Sequence, residues 1–126
     1  QMERLDEFIS IKRRNAILYR ELLAELGEVE FIWENHWAKS NFWFYTIKVA
    51  KQHKRKLINY LLSRNIQVRP IWKLIHTLPM YKDCQPYAID KAVEAYNTCI
   101  NLPCSVSLTE REISFVVESI KEYFKG

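Results

Sequence analysis

Apolar side chains recur at steps of three and four over the first 26 residues, with Leu5, Phe8, Ile9, Ala16, Tyr19, Leu22, Leu23 and Leu26 on one stripe. That period predicts a single helix over residues 1–26, because positions three and four apart share a helical face. Gly27 stands where a left-handed C′ stop is expected. The start of this helix is less regular. No Ser, Thr, Asp or Asn precedes Met2 and Leu5, so the first turn lacks a side-chain cap and its apolar residues have nothing earlier to cover them. Two readings stand: a helix continued from a longer chain, or a disordered first turn.

The period then changes. Residues 29–33 and 41–49 are rich in aromatic and β-branched side chains, and the polar run at 34–40 between them predicts a loop, hence an antiparallel hairpin. In the second strand Trp43, Tyr45, Ile47 and Val49 alternate with Phe42, Phe44, Thr46 and Lys48, and the former set is the expected core face. Residues 54–64 return to helical spacing, with Leu57, Ile58, Leu61 and Leu62 as the buried edge and Asn65 closing the helix in a left-handed conformation. Residues 66–69 predict a strand that Pro70 ends or confines to an edge, followed by exposed loop. A helix over 88–99 carries Ile89, Ala92, Val93 and Tyr96 on one side, and 99–102 forms a last short strand before Pro103. Thr109 and Glu112 have capping-box spacing, and Ile113, Val116, Val117, Ile120 and Phe124 form the stripe of a closing helix. The expected class is α+β: one domain over 1–126, with a small, mostly antiparallel sheet against helices and a long N-terminal helix.

Length and composition fit this picture. A chain of 126 residues buries roughly two-thirds of its unfolded surface, and 48% hydrophobic with 27% charged residues is ordinary for a globular domain. Apolar runs stop short of the ~18 residues of a membrane span and no signal-peptide pattern opens the chain, so a cytoplasmic setting without a membrane is expected. Cys84, Cys99 and Cys104 are an odd set without C-x-x-C spacing, which points to buried thiols and to no metal. Two glycines, Gly27 and Gly126, exclude a glycine-rich phosphate loop. The net charge of +4 includes Lys51, Lys54, Arg55 and Lys56 at the start of a helix, either a solvated shoulder or a phosphate-facing group.

Chemistry concentrates in Arg69-Pro70-Ile71-Trp72-Lys73-Leu74-Ile75-His76, which sets a guanidinium, an indole, an ammonium and an imidazole in eight positions after a strand. A core needs no such set. Arg69 suits a bidentate phosphate contact, Lys73 a point charge, Trp72 an apolar wall and His76 a directed hydrogen bond. Each also has a plain structural reading: Arg69 paired with a carboxylate, Trp72 in the core, His76 satisfied in the fold. Asn41, His36 and Trp37 form a second group near the hairpin loop. Ser105 and Ser107 lack a base and orienting acid at a recognisable spacing, which argues against hydrolase chemistry.

This block, with Pro79-Met80-Tyr81 behind it, lies between Arg64-Asn65-Ile66 and Asn101-Leu102-Pro103-Cys104-Ser105, which precede Leu108-Thr109-Glu110. In that order the blocks resemble the C-terminal small domain of the DegT-type pyridoxal-phosphate-dependent sugar aminotransferases. Gln1-Met2-Glu3-Arg4-Leu5 resembles that family's long interdomain helix, and Asn41-Phe42-Trp43 its strand opening; Asn65 departs from the usual Gly. The resemblance implies that pyridoxal phosphate, its lysine and its carboxylate partner belong to an N-terminal cofactor-binding domain missing from this chain. This chain would then be inactive alone and hold no cofactor. The parent would be a homodimer aminating a nucleotide-linked keto-sugar, with Arg69, Trp72, Lys73, His76 and Asn41 as substrate-binding residues here. The competing reading is a non-enzymatic basic interaction or nucleic-acid-binding module. A small charge surplus and aromatics at core positions disfavour it.

Overall fold

The computed structural model describes residues 2–126, and Gln1, assigned to the opening helix, lies outside the described residues. After a 3₁₀ turn at Met2–Arg4 come α1 (Leu5–Leu23), β1 (Glu30–Phe31), β2 (Tyr45–Lys48), α2 (Lys51–Ser63), β3 (Arg69–Pro70), α3 (Asp90–Thr98), β4 (Cys99–Leu102) and α4 (Glu110–Lys125). The strands form one antiparallel sheet in the order β1-β2-β4-β3, so the last strand in sequence is inserted beside the second. The α+β expectation therefore holds.

Register divides the sheet chemically. Residues directly opposite one another project to the same face, so Tyr45↔Leu102 and Ile47↔Ile100 define one face, and Thr46↔Asn101 with Arg69↔Asn101 the other. The first face joins Tyr19 of α1, Leu57 and Leu61 of α2, and Ile113, Val117 and Ile120 of α4 in one buried cluster. Helix α4 packs against both α1 and α2, and its capping box forms as the sequence requires: Glu112 N–H donates to Thr109 Oγ1 and Thr109 N–H to Glu112 Oε2. The second face is polar. Thr46 Oγ1 donates to Asn101 Oδ1 at 2.7 Å, and this pairing satisfies an amide that sits nearly buried in the central strand.

Several local expectations give way to side-chain and turn chemistry. Helix α1 ends at Leu23, ahead of Gly27. The N–H of Ala24 donates to Glu21 O, that of Leu26 to Leu23 O and that of Val29 to Leu26 O, a series of tight turns in which Gly27 has no positive φ. No side chain caps α1, as expected, and its first turn is helical rather than disordered. The second strand is shorter than 41–49, because Ser40 Oγ and Asn41 Oδ1 accept from the N–H groups of Phe42 and Trp43 and Phe42 takes φ 50. Such bonds compete with the ladder. They also shift the side-chain phase: Phe42 enters the core and Trp43 faces outward, the reverse of the expected order, while Tyr45, Ile47 and Val49 are buried as read.

Helix α2 begins at Lys51, and it buries Leu57 and Leu61 but exposes Leu62, so its covered stripe is narrower than predicted. Asn65 takes φ 62, the left-handed stop expected of it. Strand β3 contains only Arg69 and Pro70 and lies at a sheet edge, where proline's missing donor breaks no ladder. Cys99 is buried and Cys104 half-buried, but Cys84 is exposed, against the buried-thiol reading, because it follows a surface 3₁₀ turn. No residue of α3 is fully buried. That leaves its apolar side available to line surface grooves.

Candidate functional site

Residues 71–89 connect β3 to α3 with only two 3₁₀ turns, Ile75–Thr77 and Pro79–Tyr81. Their order comes from short backbone bonds rather than burial: the N–H groups of Thr77, Leu78, Tyr81 and Cys84 donate to the carbonyls of Leu74, Ile75, Leu78 and Tyr81. Pro79 at the first position of its turn has a preset φ. The segment consequently holds a shape while displaying large side chains. Trp72 is 78% exposed, and Ile75, Met80 and Tyr87 are also open to solvent. A concentration of exposed apolar groups on one segment marks a contact surface more often than chance.

Two grooves meet at this segment. One, of ≈ 860 Å³, is lined by Lys73, His76, Tyr81, Cys84 and Ile89 together with Trp72. Another, of ≈ 470 Å³, is lined by Arg69, Phe44, Asn101, Cys104 and Ser105, again with Trp72. The indole is thus shared, and it joins Arg69 on one side to Lys73 and His76 on the other. Among the described residues Arg69 makes no ion pair, and an exposed Trp72 is not core, so the plain structural readings of these two residues fail. His76 is half-buried beside Lys73 in the larger groove.

Asn41 does not join them. It lines neither groove, and its Oδ1 accepts from Trp43 N–H at 3.0 Å, which gives it a role in shaping the turn. Trp37 is exposed on the loop before β2, also away from both grooves.

Helix α1 braces the smaller groove from behind. Lys12 Nζ donates to Trp43 O at 2.8 Å and to Cys104 O, tying the approach to β2 and the exit from β4 to one ammonium. Burial holds that ammonium below the usual lysine range, with Cys104 acting in the opposite sense. Tyr45 OH donates to Lys12 O and Tyr19 OH to Pro103 O, so two core phenols fasten the same connections. Arg13 and Glu34 form a two-point ion pair, and Ser40 N–H also donates to Glu34, which fixes the loop before β2. Glu34 is held down at about 2 by the Arg13 hydrogen bond first and the Ser40 N–H second.

Sequence reasoning missed Phe44, Asn101 and Ile89 as groove residues. Asn101 carried a signal, since it is the polar member of the otherwise apolar run Cys99-Ile100-Asn101-Leu102. Phe44 carried one too, since the alternation over 41–49 sets it on the outward face with Thr46 and Lys48, and it is exposed there.

Chemically, the grooves offer a guanidinium and an ammonium for anionic oxygens, an imidazole, an indole face and the Asn101 amide. Neither of these two grooves sets a lysine beside a carboxylate.

The profile of the DegT/DnrJ/EryC1/StrS aminotransferase family matches residues 1–121. The chain is 31% identical over 128 residues to the GDP-perosamine synthase of Escherichia coli O157:H7, covering 98% of this chain and 34% of that protein. It is 30% identical to the GDP-perosamine synthase of Vibrio cholerae, covering 98% and 35%. Among solved structures, aminotransferase TlmJ from Streptoalloteichus hindustanus superposes with a TM-score of 0.90 at 17% identity, covering 99% of this chain and 34% of that one. Sugar aminotransferase CalS13 from Micromonospora echinospora gives 0.83 at 25% identity, covering 96% and 32%. The chain spans about a third of the length of the relatives it matches.

Proposed function

The chain belongs to the DegT/DnrJ/EryC1/StrS aminotransferase family, and from that premise we propose that it is the C-terminal small domain of a sugar aminotransferase. Its share of the work is to grip a nucleotide-linked keto-sugar and close the cleft, with a separate N-terminal part holding the cofactor. The family depends on pyridoxal phosphate, which supplies the electron sink for moving an amino group. Such a cofactor needs a Schiff-base lysine and a carboxylate for its ring nitrogen. In this reading both belong to the N-terminal part, and no chemical step is assigned to this chain's residues. The assembled parent is a homodimer in this reading.

The observation that carries the proposal is the shared position of Trp72 between the Arg69 groove and the Lys73–His76 groove. One extended ligand lying across the indole meets cations and hydrogen-bond donors on both sides. Binding energy collected from the non-reacting part of a substrate then orients its keto carbon for reaction elsewhere. Arg69 makes two parallel hydrogen bonds to an anionic group, Lys73 adds charge, and His76 directs a single bond.

Steady-state kinetics of the protein containing both parts test this. Arg69→Ala and Trp72→Ala are expected to raise KM for the keto-sugar at least about tenfold, the equivalent of losing one charge-assisted contact of ~1.5 kcal/mol or more. KM for the amino donor is expected to stay within twofold. An unchanged keto-sugar KM in both variants refutes the assignment.

A further inference from the structure

The β2–β4 ladder stops at Tyr45↔Leu102. Continued outward, the same register would set Phe44 opposite Pro103 and Trp43 opposite Cys104. Those rungs are missing. Phe42 turns the chain at φ 50, held there by Ser40 Oγ and Asn41 Oδ1, and Pro103 has no N–H to donate. The two strand ends therefore splay, and the residues beyond the last rung, Phe44, Pro103, Cys104 and Ser105, line the smaller groove beside Arg69 and Trp72.

Two carbonyl oxygens that converge on one point repel unless a donor stands between them. Lys12 of α1 is that donor: its Nζ bonds Trp43 O at 2.8 Å and also Cys104 O, so one ammonium spans the gap where the ladder would have continued. Tyr45 fixes the lysine in turn. Its O–H donates to Lys12 O at 2.9 Å, and its ring centre lies 5.3 Å from the ammonium. Among the described residues Lys12 has no carboxylate partner, whereas Arg4, Arg13, Lys48, Arg64 and Lys121 each have one. Its half-buried charge is spent on the two carbonyls and the phenol face.

We propose that Lys12 is a positioning residue for the substrate: by holding Trp43 O and Cys104 O at a set separation, it fixes the width of the groove between Phe44 and Ser105. The fit of a ligand gripped by Arg69 and Trp72 then depends on a side chain that does not line the groove. Without the ammonium the two carbonyls move apart or admit water, and the groove opens at Phe44 and Cys104. Small misplacements of this kind weaken binding and orientation far more than they disturb a fold. The inference rests on the substrate-gripping role proposed above.

Steady-state kinetics of the protein containing both parts, with melting temperatures alongside, test it in three variants. Lys12→Met keeps the stem and loses every donor; it is expected to raise KM for the keto-sugar at least about fivefold, while kcat and KM for the amino donor stay within about twofold. Lys12→Arg keeps the charge and several donors, and should hold the keto-sugar KM within about twofold of the parent. Lys12→Gln, with one amide for two carbonyls, should fall between, and it carries the comparison where Lys12→Met does not fold. A lower melting temperature with an unchanged keto-sugar KM assigns Lys12 to the fold alone and overturns the proposal, as does a KM raised equally in Lys12→Met and Lys12→Arg. Arg69→Ala and Trp72→Ala separate the two levels: if they raise the keto-sugar KM and Lys12→Met does not, positioning fails and gripping stands, whereas no change in any of them ends the gripping role itself.

Discussion

Ile100 is the point at which fold and candidate site are mechanically joined, and its truncation has a calculable cost. Its side chain is 0% exposed, faces Ile47 across the β2–β4 ladder and Pro70 across β3, and lies in the cluster beneath α1, α2 and α4. Ile100→Ala removes three buried carbons, worth about 2.4 kcal/mol at ~0.8 kcal/mol each. A central strand held on both sides cannot collapse inward, so a residual cavity of ~50 Å³ adds about 1 kcal/mol. The expected loss is about 3.5 kcal/mol, or about 10 °C in melting temperature for a chain of this size. Ile100→Val leaves most of the volume filled and is expected to cost about 1 kcal/mol. Ile75→Ala, at a position 68% exposed, serves as the control and should cost under about 0.5 kcal/mol. Urea unfolding followed by far-UV circular dichroism measures all three, and equal m-values show that the same structure is being lost. If Ile100→Ala costs less than about 1 kcal/mol, or no more than Ile75→Ala, the central placement of β4 is wrong. The adjoining register of Arg69 and Asn101 then falls with it.

Two further outcomes check local claims. Glu34 is depressed from its ordinary 4.5 to about 2 by Arg13 and the Ser40 N–H, so its stabilising effect is complete above pH 4.5 and disappears as pH falls through about 2. Glu34→Gln should therefore melt below the parent at pH 7, with the gap closing between pH 4.5 and 2; a gap independent of pH refutes the ion-pair origin. Asn65 closes α2 at φ 62, a conformation costing an ordinary L-residue roughly 1–2 kcal/mol. Asn65→Gly should stabilise by about 0.5 kcal/mol and Asn65→Ala destabilise by about 1 kcal/mol in denaturant melts, and an Ala variant as stable as the parent contradicts the backbone assignment.

The elements most faithfully legible in the chain were those whose signals are local. Thr109 and Glu112 are three residues apart and satisfy each other's backbone N–H groups, so the start of α4 needs no tertiary partner to be predicted. Asn65 and Pro70 act similarly, one through its tolerance of positive φ and the other through its missing donor. Errors occurred where two local preferences competed. The alternation over 41–49 argued for strand throughout, but Ser40 and Asn41 offered the backbone hydrogen bonds that a ladder would otherwise provide, and the turn won at Phe42.

The candidate site was half visible. Arg69, Trp72, Lys73 and His76 were singled out by their chemistry, and the structure gathers them around one indole. Asn41 belonged to a separate group at the hairpin loop with His36 and Trp37, and its Oδ1 accepts from Trp43 N–H away from both grooves.

Periodicity, caps and breakers in the sequence determined the helices, the approximate strands and the surface loop that bears the reactive groups, since each depends on residues a few positions apart. Strand order, the choice of the turn over the strand at Phe42, where local preferences compete, and the convergence of β4 and α3 on that loop were decided by tertiary packing. Those features depend on which surfaces bury one another across the whole chain, and no short window of sequence contains that competition.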